Sequence, residues 1–214
     1  MNEVTARIEG GFAEVGAGLW LMGRSQPAAF FGKTVRHPRK GWCVSDRQRL
    51  DLVETTGSVK CADSSRPFFT YIPCAAPVFA VSGKVLVAPA SARKSSRNIK
   101  AVPMAARGSV CVTEFALDGE DGSAWVVMAT ASRTARIVLE DGETVSVRPE
   151  AVVAWTGKAP TGFCPKLSVW DVLLPRGPRD LLFTFYGPSV VWIEGSCSAG
   201  SSYAAQRQLQ RGVV

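Results

Sequence analysis

The chain has 214 residues, 46% of them hydrophobic and 20% charged, with a formal net charge of +7. A soluble globular chain of this composition can bury a sizeable core without disulfide or metal staples. No apolar run approaches the ~18 residues of a membrane-spanning helix, and the longest one, Ala75 to Val81, is interrupted by Pro77.

The charge is unevenly placed. Residues 1–100 carry 15 basic and 7 acidic groups, residues 101–150 carry 4 and 8, and the remainder carry 6 and 3. This split predicts a basic face of the kind that attracts nucleic acid, anionic lipid or acidic proteins.

Taken in chain order, the pattern is one of short strands. Phe12 to Met22 and Arg49 to Val53 read as strands. Between them lies a basic, proline-containing loop with Arg36, His37, Arg39 and Lys40, and Ser64 to Pro67 is a further loop. Val78 to Ala88 is strand-like, and Arg93, Lys94, Arg97 and Lys100 form a second loop-like basic cluster. Strands follow at Val110–Leu117, Ala124–Ala129, Ala135–Leu139, Thr144–Arg148, Ala151–Trp155, Leu167–Leu173, Leu181–Tyr186 and Val190–Glu194. Asp118–Gly122, Asp141–Gly142 and Gly187–Pro188 supply the turns between them. Val145 and Val147 share one side of a half-buried strand, which Pro149 ends because it cannot donate to a ladder. Only Tyr203 to Arg211 has helical propensity. Gly83–Pro89 and Gly142–Pro149 share a pattern of glycine, alternating apolar residues and proline, a hint of internal duplication. The fold class expected is all-β, a β-sandwich of repeated antiparallel units with a short C-terminal helix.

The residues that carry chemistry are few. His37 is the one histidine and sits in a basic loop, which lowers its basicity. The six cysteines, at 43, 61, 74, 111, 164 and 197, lack zinc spacing and read as free thiols in a reducing compartment, with Cys111 inside an apolar run. The N-terminal Glu3, Glu9 and Glu14 do not suit an acid-poor transit peptide. Gly32-Lys33-Thr34 lacks the upstream glycine of a phosphate loop, and Gly16-Ala17-Gly18 lacks the third glycine of a dinucleotide fingerprint. Ser91-Ala92-Arg93-Lys94 matches a Ser-x-x-Lys pattern, but in a polar loop. The carboxylates at 118–121 and 140–143 interleave with turn glycines and read as solvated hairpin tips rather than calcium ligands. Neither a catalytic residue nor a cofactor or metal site is expected. The candidate contacts are Arg36, Arg39, Lys40, Arg93, Lys94, Arg97 and Lys100, placed to meet phosphate backbone without base stacking. Trp125, Trp155, Trp170 and Trp192 all fall in strand-like runs and are expected in the core, the alternative being a strand edge or sheet face that forms a subunit interface.

Three stretches resemble a known family. Ile137 to Glu143 (IVLEDGE), Ala151 to Gly157 (AVVAWTG) and Phe183 to Ile193 (FTFYGPSVVWI) are similar to the turn and strand motifs of the Altered Inheritance of Mitochondria twenty-four family, with Ser189 in place of the usual second glycine. Val81-Ser82-Gly83-Lys84 resembles the early "GK" strand of its members. The resemblance spans roughly residues 78 to 195. It implies a domain over 76–200, preceded by a poorly matched β-rich extension, 1–75, and followed by a tail, 201–214. It further implies a β-sandwich like that of the tryptophan RNA-binding attenuation protein, with pseudo-threefold repeats and no established catalytic residues. The family's mitochondrial members are linked to inner-membrane organisation and respiratory assembly, and bacterial members also exist. The function expected is therefore a non-enzymatic scaffold or assembly protein of a mitochondrial complex, without a transmembrane span, acting on other proteins and able to form oligomers. The alternatives are an RNA-associated subunit of a mitochondrial ribonucleoprotein, and a small-ligand-binding protein or enzyme, in the mitochondrion or the cytoplasm.

Overall fold

The computed structural model describes residues 7–9, 12–23, 27–30, 32–37, 50–100, 109–116, 124–163, 182–195 and 207–208. They form an all-β fold of four antiparallel sheets. Sheet I has the order β1 (Arg7–Glu9), β2 (Phe12–Val15), β7 (Val59–Cys61), β4 (Pro27–Phe30). Sheet II runs β5 (Thr34–His37), β6 (Asp51–Thr55), β3 (Gly18–Met22), β10 (Val85–Pro89), β13 (Trp125–Thr130), β8 (Phe68–Pro73). Sheet III runs β11 (Arg93–Lys100), β12 (Ser109–Phe115), β9 (Val78–Val81), β16 (Val152–Thr156), β19 (Ser189–Glu194), β14 (Thr134–Leu139). Sheet IV runs β17 (Thr161–Phe163), β18 (Leu182–Tyr186), β15 (Thr144–Val147), β20 (Arg207–Gln208).

The alternation of side chains along a strand explains how these sheets stack. In β13, Trp125, Val127 and Ala129 point to one cluster, shared with Ala13, Val15, Val59 and Cys61 of sheet I. Val126 and Met128 point the other way, into a cluster with Val78, Ala80, Phe115 and Val153 of sheet III. In β9, Val78 and Ala80 join that second cluster, while Phe79 and Val81 enter a third with Val145, Val147, Phe183 and Phe185 of sheet IV. Sheets II and III therefore bury both faces, and their central strands read as continuous apolar runs rather than alternating ones. Trp20, Trp125 and Trp155 are each at most 1% exposed, which places the tryptophans of these strands in the core.

The strand order also repeats. Adding six to each strand number of sheet II reproduces the order of sheet III. The repeat extends to a local defect: the pairing of β10 with β13 shifts register between Val85 and Val87, and that of β16 with β19 shifts between Val152 and Ala154. A third shift, between Pro27 and Ala29, lies in the pairing of β4 with β7. An extra residue in one strand bends it and sharpens its twist, which lets a wide sheet coil between two neighbours. Val85 and Val152 each follow a 3₁₀ turn, Ser82–Lys84 and Pro149–Ala151, and each donates its N–H to the turn's first carbonyl. The duplication is thus real, but its register differs from the sequence pattern. Val85–Pro89 corresponds in sheet position to Val152–Thr156, not to Thr144–Val147, because the buried faces rather than the prolines define the repeat.

Other expectations are corrected locally. The described parts of the two basic clusters are strand rather than loop: Arg36 and His37 lie in β5, and Arg93 to Lys100 is all of β11, while Arg39 and Lys40 lie outside the described residues. Phe12 to Met22 is two strands in different sheets, parted at Gly16 and Ala17, and Val78 to Ala88 is broken by the turn Ser82–Lys84. In the tail, Arg207–Gln208 is a strand paired with Thr144 and Val145, where an open sheet edge outweighs helical propensity. Sheet II draws strands from both sides of position 75. Asp141–Gly142 is a turn as expected, with Gly142 at φ +79 and Glu143 accepting the Glu140 N–H at 3.0 Å, but it is not a hairpin tip: it links β14 of sheet III to β15 of sheet IV, which do not pair with each other. Leu167–Leu173, Asp118–Gly122 and Trp170 lie outside the described residues.

Candidate functional site

The basic sequence Arg-Lys-Ser-Ser-Arg-Asn-Ile-Lys has little strand propensity of its own. It is a strand because β12, Ser-Val-Cys-Val-Thr-Glu-Phe, offers a β-prone edge, and the two pair from Arg93↔Phe115 to Lys100↔Ser109. The register shifts between Arg93 and Ser95, so Lys94 sits at a bulge. Among the described residues β11 pairs only with β12, and it is the end strand of sheet III.

Strand alternation divides the positive charges of β11. Arg97 and Ile99 share the face toward sheet IV, and the Arg97 guanidinium carbon lies 4.9 Å from the centroid of the Phe79 ring. Arg93 belongs to the opposite face, where its Nη2 donates to Ser96 Oγ at 3.1 Å. Ser96 continues a hydroxyl chain inward, to Thr113 at 3.1 Å and on to buried Ser82 at 2.8 Å. Ser95 Oγ donates to Glu114 Oε2 at 2.7 Å, which sets one negative charge beside the strand. Lys94 and Arg97 are exposed and Arg93 half-buried.

The second basic cluster falls at the equivalent edge. β5 ends sheet II as β11 ends sheet III, with Arg36 opposite Val53 and His37 opposite Leu52. Arg39 and Lys40 lie outside the described residues. The fold thus places Arg36 and the Arg93–Lys100 group on edge strands of two different sheets.

A buried polar cluster escaped sequence reasoning as a site. Lys84 is 7% exposed, and its Nζ donates to the carbonyls of Glu150 at 2.5 Å and Val152 at 2.9 Å. It also pairs with Glu194 Oε1, while Glu194 Oε2 accepts the Ala131 N–H at 3.0 Å. Arg66 donates to the Gly83 carbonyl and Ser132 Oγ to the Gly195 carbonyl. Burial holds the Lys84 ammonium below the usual lysine pKa, Glu194 opposes that shift, and Arg66 adds to it. All three N–H bonds of the ammonium are engaged, so the group joins two 3₁₀ turns and the end of β19 and has none left for a ligand. The signal available in the sequence was a lone lysine inside Phe-Ala-Val-Ser-Gly-Lys-Val-Leu-Val-Ala.

The thiols are equally quiet. Cys61 and Cys74 are free, buried, and pushed up to about 12 by burial, so neither forms a thiolate near neutral pH. Cys111 is in no disulfide and is half-buried rather than buried as expected. A shallow groove of about 400 Å³ is lined by Gly18, Leu19, Leu52, Glu54 and Thr55, with one carboxylate. Among the described residues no group of three or more His, Cys, Asp or Glu is placed to hold a metal, and no helix is long and apolar enough to cross a membrane.

No protein-family model and no curated protein matches the chain. Among solved structures, the X-ray structure of protein SPYM3_0169 from Streptococcus pyogenes is similar, with a TM-score of 0.64 at 14% identity, over 91% of this chain and 93% of that one. At that identity the likeness shows the fold alone.

Proposed function

We propose that the protein is a non-enzymatic β-rich scaffold, a subunit or assembly factor that works through its sheet edges and outer faces. One observation carries this reading: sheets II and III bury both faces, so side chains available for contact lie at edges and on the outer sheets. Two further features support it. The buried polar groups around Lys84 are spent on internal bonds, and the buried thiols are held protonated. Exposed Phe12, Leu19, Val35, Phe68, Val138 and Tyr186 add apolar contact area outside the core.

The test is affinity capture from native extract, with and without nuclease, followed by mass measurement of the eluted species. The expected result is a protein complex that survives nuclease. A monodisperse monomer without partners overturns the proposal, and a complex dispersed by nuclease replaces it with the nucleic-acid reading.

A further inference from the structure

We infer that β11 is a docking edge for an acidic, extended polypeptide segment, which adds to sheet III as a further antiparallel strand. This rests on the scaffold reading and names its partner by chemistry. An edge strand presents a row of backbone donors and acceptors, and proteins that do not use such an edge keep it short, place proline or charges on it, bulge it, or cover it. β11 carries positive charge and one bulge at Lys94, which repel basic strands and leave the edge open to an acidic one. β11 is eight residues long, the longest strand described, contains no proline, and pairs only with β12 among the described residues. The other long outer strands differ: β8 and β14, the opposite ends of sheets II and III, are tied to each other by Thr70 Oγ1 donating to Thr134 Oγ1 at 3.0 Å.

The side chains of β11 set the sequence of the incoming strand. Residues opposite each other in an antiparallel pair lie on the same face. A carboxylate opposite Arg97 meets a guanidinium already held over Phe79. Two residues before it on the partner, the position opposite Ile99 is apolar, because Ile99 is 9% exposed and packs into the core. Three or four residues after the first carboxylate, a second one reaches Lys94 and Arg93 at the bulge. The partner motif is therefore an apolar residue, one spacer, an acid, two or three spacers, and an acid. The backbone ladder supplies the docking, and the charges on both faces exclude basic and neutral strands. The division of positive charge between two faces suits a strand, which also sends side chains both ways, better than a phosphate backbone lying along one face.

The probe is a fluorescein-labelled peptide, Thr-Val-Thr-Glu-Thr-Thr-Glu-Thr, with three controls: its Lys-for-Glu counterpart, a form N-methylated at alternate amides, and octauridylate RNA. The full chain is expected to bind the acidic peptide, to lose at least tenfold in affinity with Arg93→Glu/Arg97→Glu, and to lose as much against the N-methylated form. Amide hydrogen exchange within residues 93–100 is expected to slow at least tenfold in the complex, which charge attraction without strand addition would not produce. No binding at millimolar peptide, binding without protection of 93–100, or tighter binding of octauridylate each overturns the inference. The scaffold proposal is judged separately: if Arg93→Glu/Arg97→Glu still captures its nuclease-resistant complex from extract, the scaffold stands and the β11 edge does not.

Discussion

Lys84 and Glu194 form an ion pair in which the lysine is 7% exposed, and the lysine also donates to the carbonyls of Glu150 and Val152 on the next repeat. The pair therefore ties the turn Ser82–Lys84 to the turn Pro149–Ala151 and to the end of β19. Removing one member of a buried pair strands the other charge, which costs more than the pair itself contributes.

Lys84→Met is expected to lower stability by about 3–5 kcal/mol, because Glu194 is left without its cation and two carbonyls lose their donor. Lys84→Met/Glu194→Leu is expected to recover part of that loss. Urea unfolding of the wild type, the single and the double variant checks both statements, and additive losses would contradict the pairing.

Alkaline stability is governed by groups of opposite sign. Cys61 and Cys74 are raised from 9.0 to about 12, so the folded chain keeps protons that the unfolded chain releases. Their contribution is complete below pH 9 and is lost as pH rises through about 12. Lys84 is lowered from 10.5, so in the window below 10.5 the unfolded chain holds more protons and the contribution of this group rises with pH. Stability measured by denaturant unfolding should fall from pH 9 upward. The fall should flatten in Cys61→Ala/Cys74→Ala and steepen in Lys84→Met; identical slopes in all three chains would contradict the assignment.

The turn at Gly187 separates two substitutions that look alike. A Cβ on Gly187 would stand 1.7 Å from the carbonyl oxygen of Glu140, a backbone atom that cannot swing away. Gly187→Ala is expected to cost about 3 kcal/mol or more. Two residues on, Ser189 is buried and its hydroxyl has no hydrogen-bond partner among the described residues. Ser189→Ala is therefore expected to be neutral or to stabilise by about 1 kcal/mol. Thermal unfolding of the two variants checks the contrast.

The bulge in β10 offers a fourth test. Leu86 is 1% exposed and lies where the register of β10 against β13 shifts, between Val85 and Val87. Leu86→Ala should cost about 2–5 kcal/mol as a cavity. Deleting Leu86 should leave a cooperative but lowered transition, because Leu86 is the extra residue of the bulge: Val85 pairs with Met128 and Val87 with Val127, so Val87 and Ala88 keep their faces when it is removed. Calorimetry distinguishes a lowered transition from an absent one.

Much of the architecture was legible one strand at a time. Alternation marked Thr144–Val147, continuous apolar runs marked Trp125–Thr130 and Val152–Thr156, and Asp141–Gly142 marked a turn, though not that it crosses from sheet III to sheet IV. The polar strand β11 was not legible, because its pairing comes from β12 rather than from its own residues. Nor was the cluster at Lys84, whose partners lie 66 to 110 positions away.

By itself the sequence determined the class of structure, since period-two patterning and turn residues act over a few neighbours and need no distant partner. It also marked Trp125 and Trp155 for the core, since they sit inside runs too apolar to face water, whereas Trp192, expected there too, is only half-buried on β19. Only the tertiary structure decided which faces meet, that Arg36 and the Arg93–Lys100 group ride on sheet edges, and that Lys84 finds a carboxylate at Glu194. Those outcomes depend on the stacking of whole sheets, where burial on both sides selects register and partner together, and no local window contains that information.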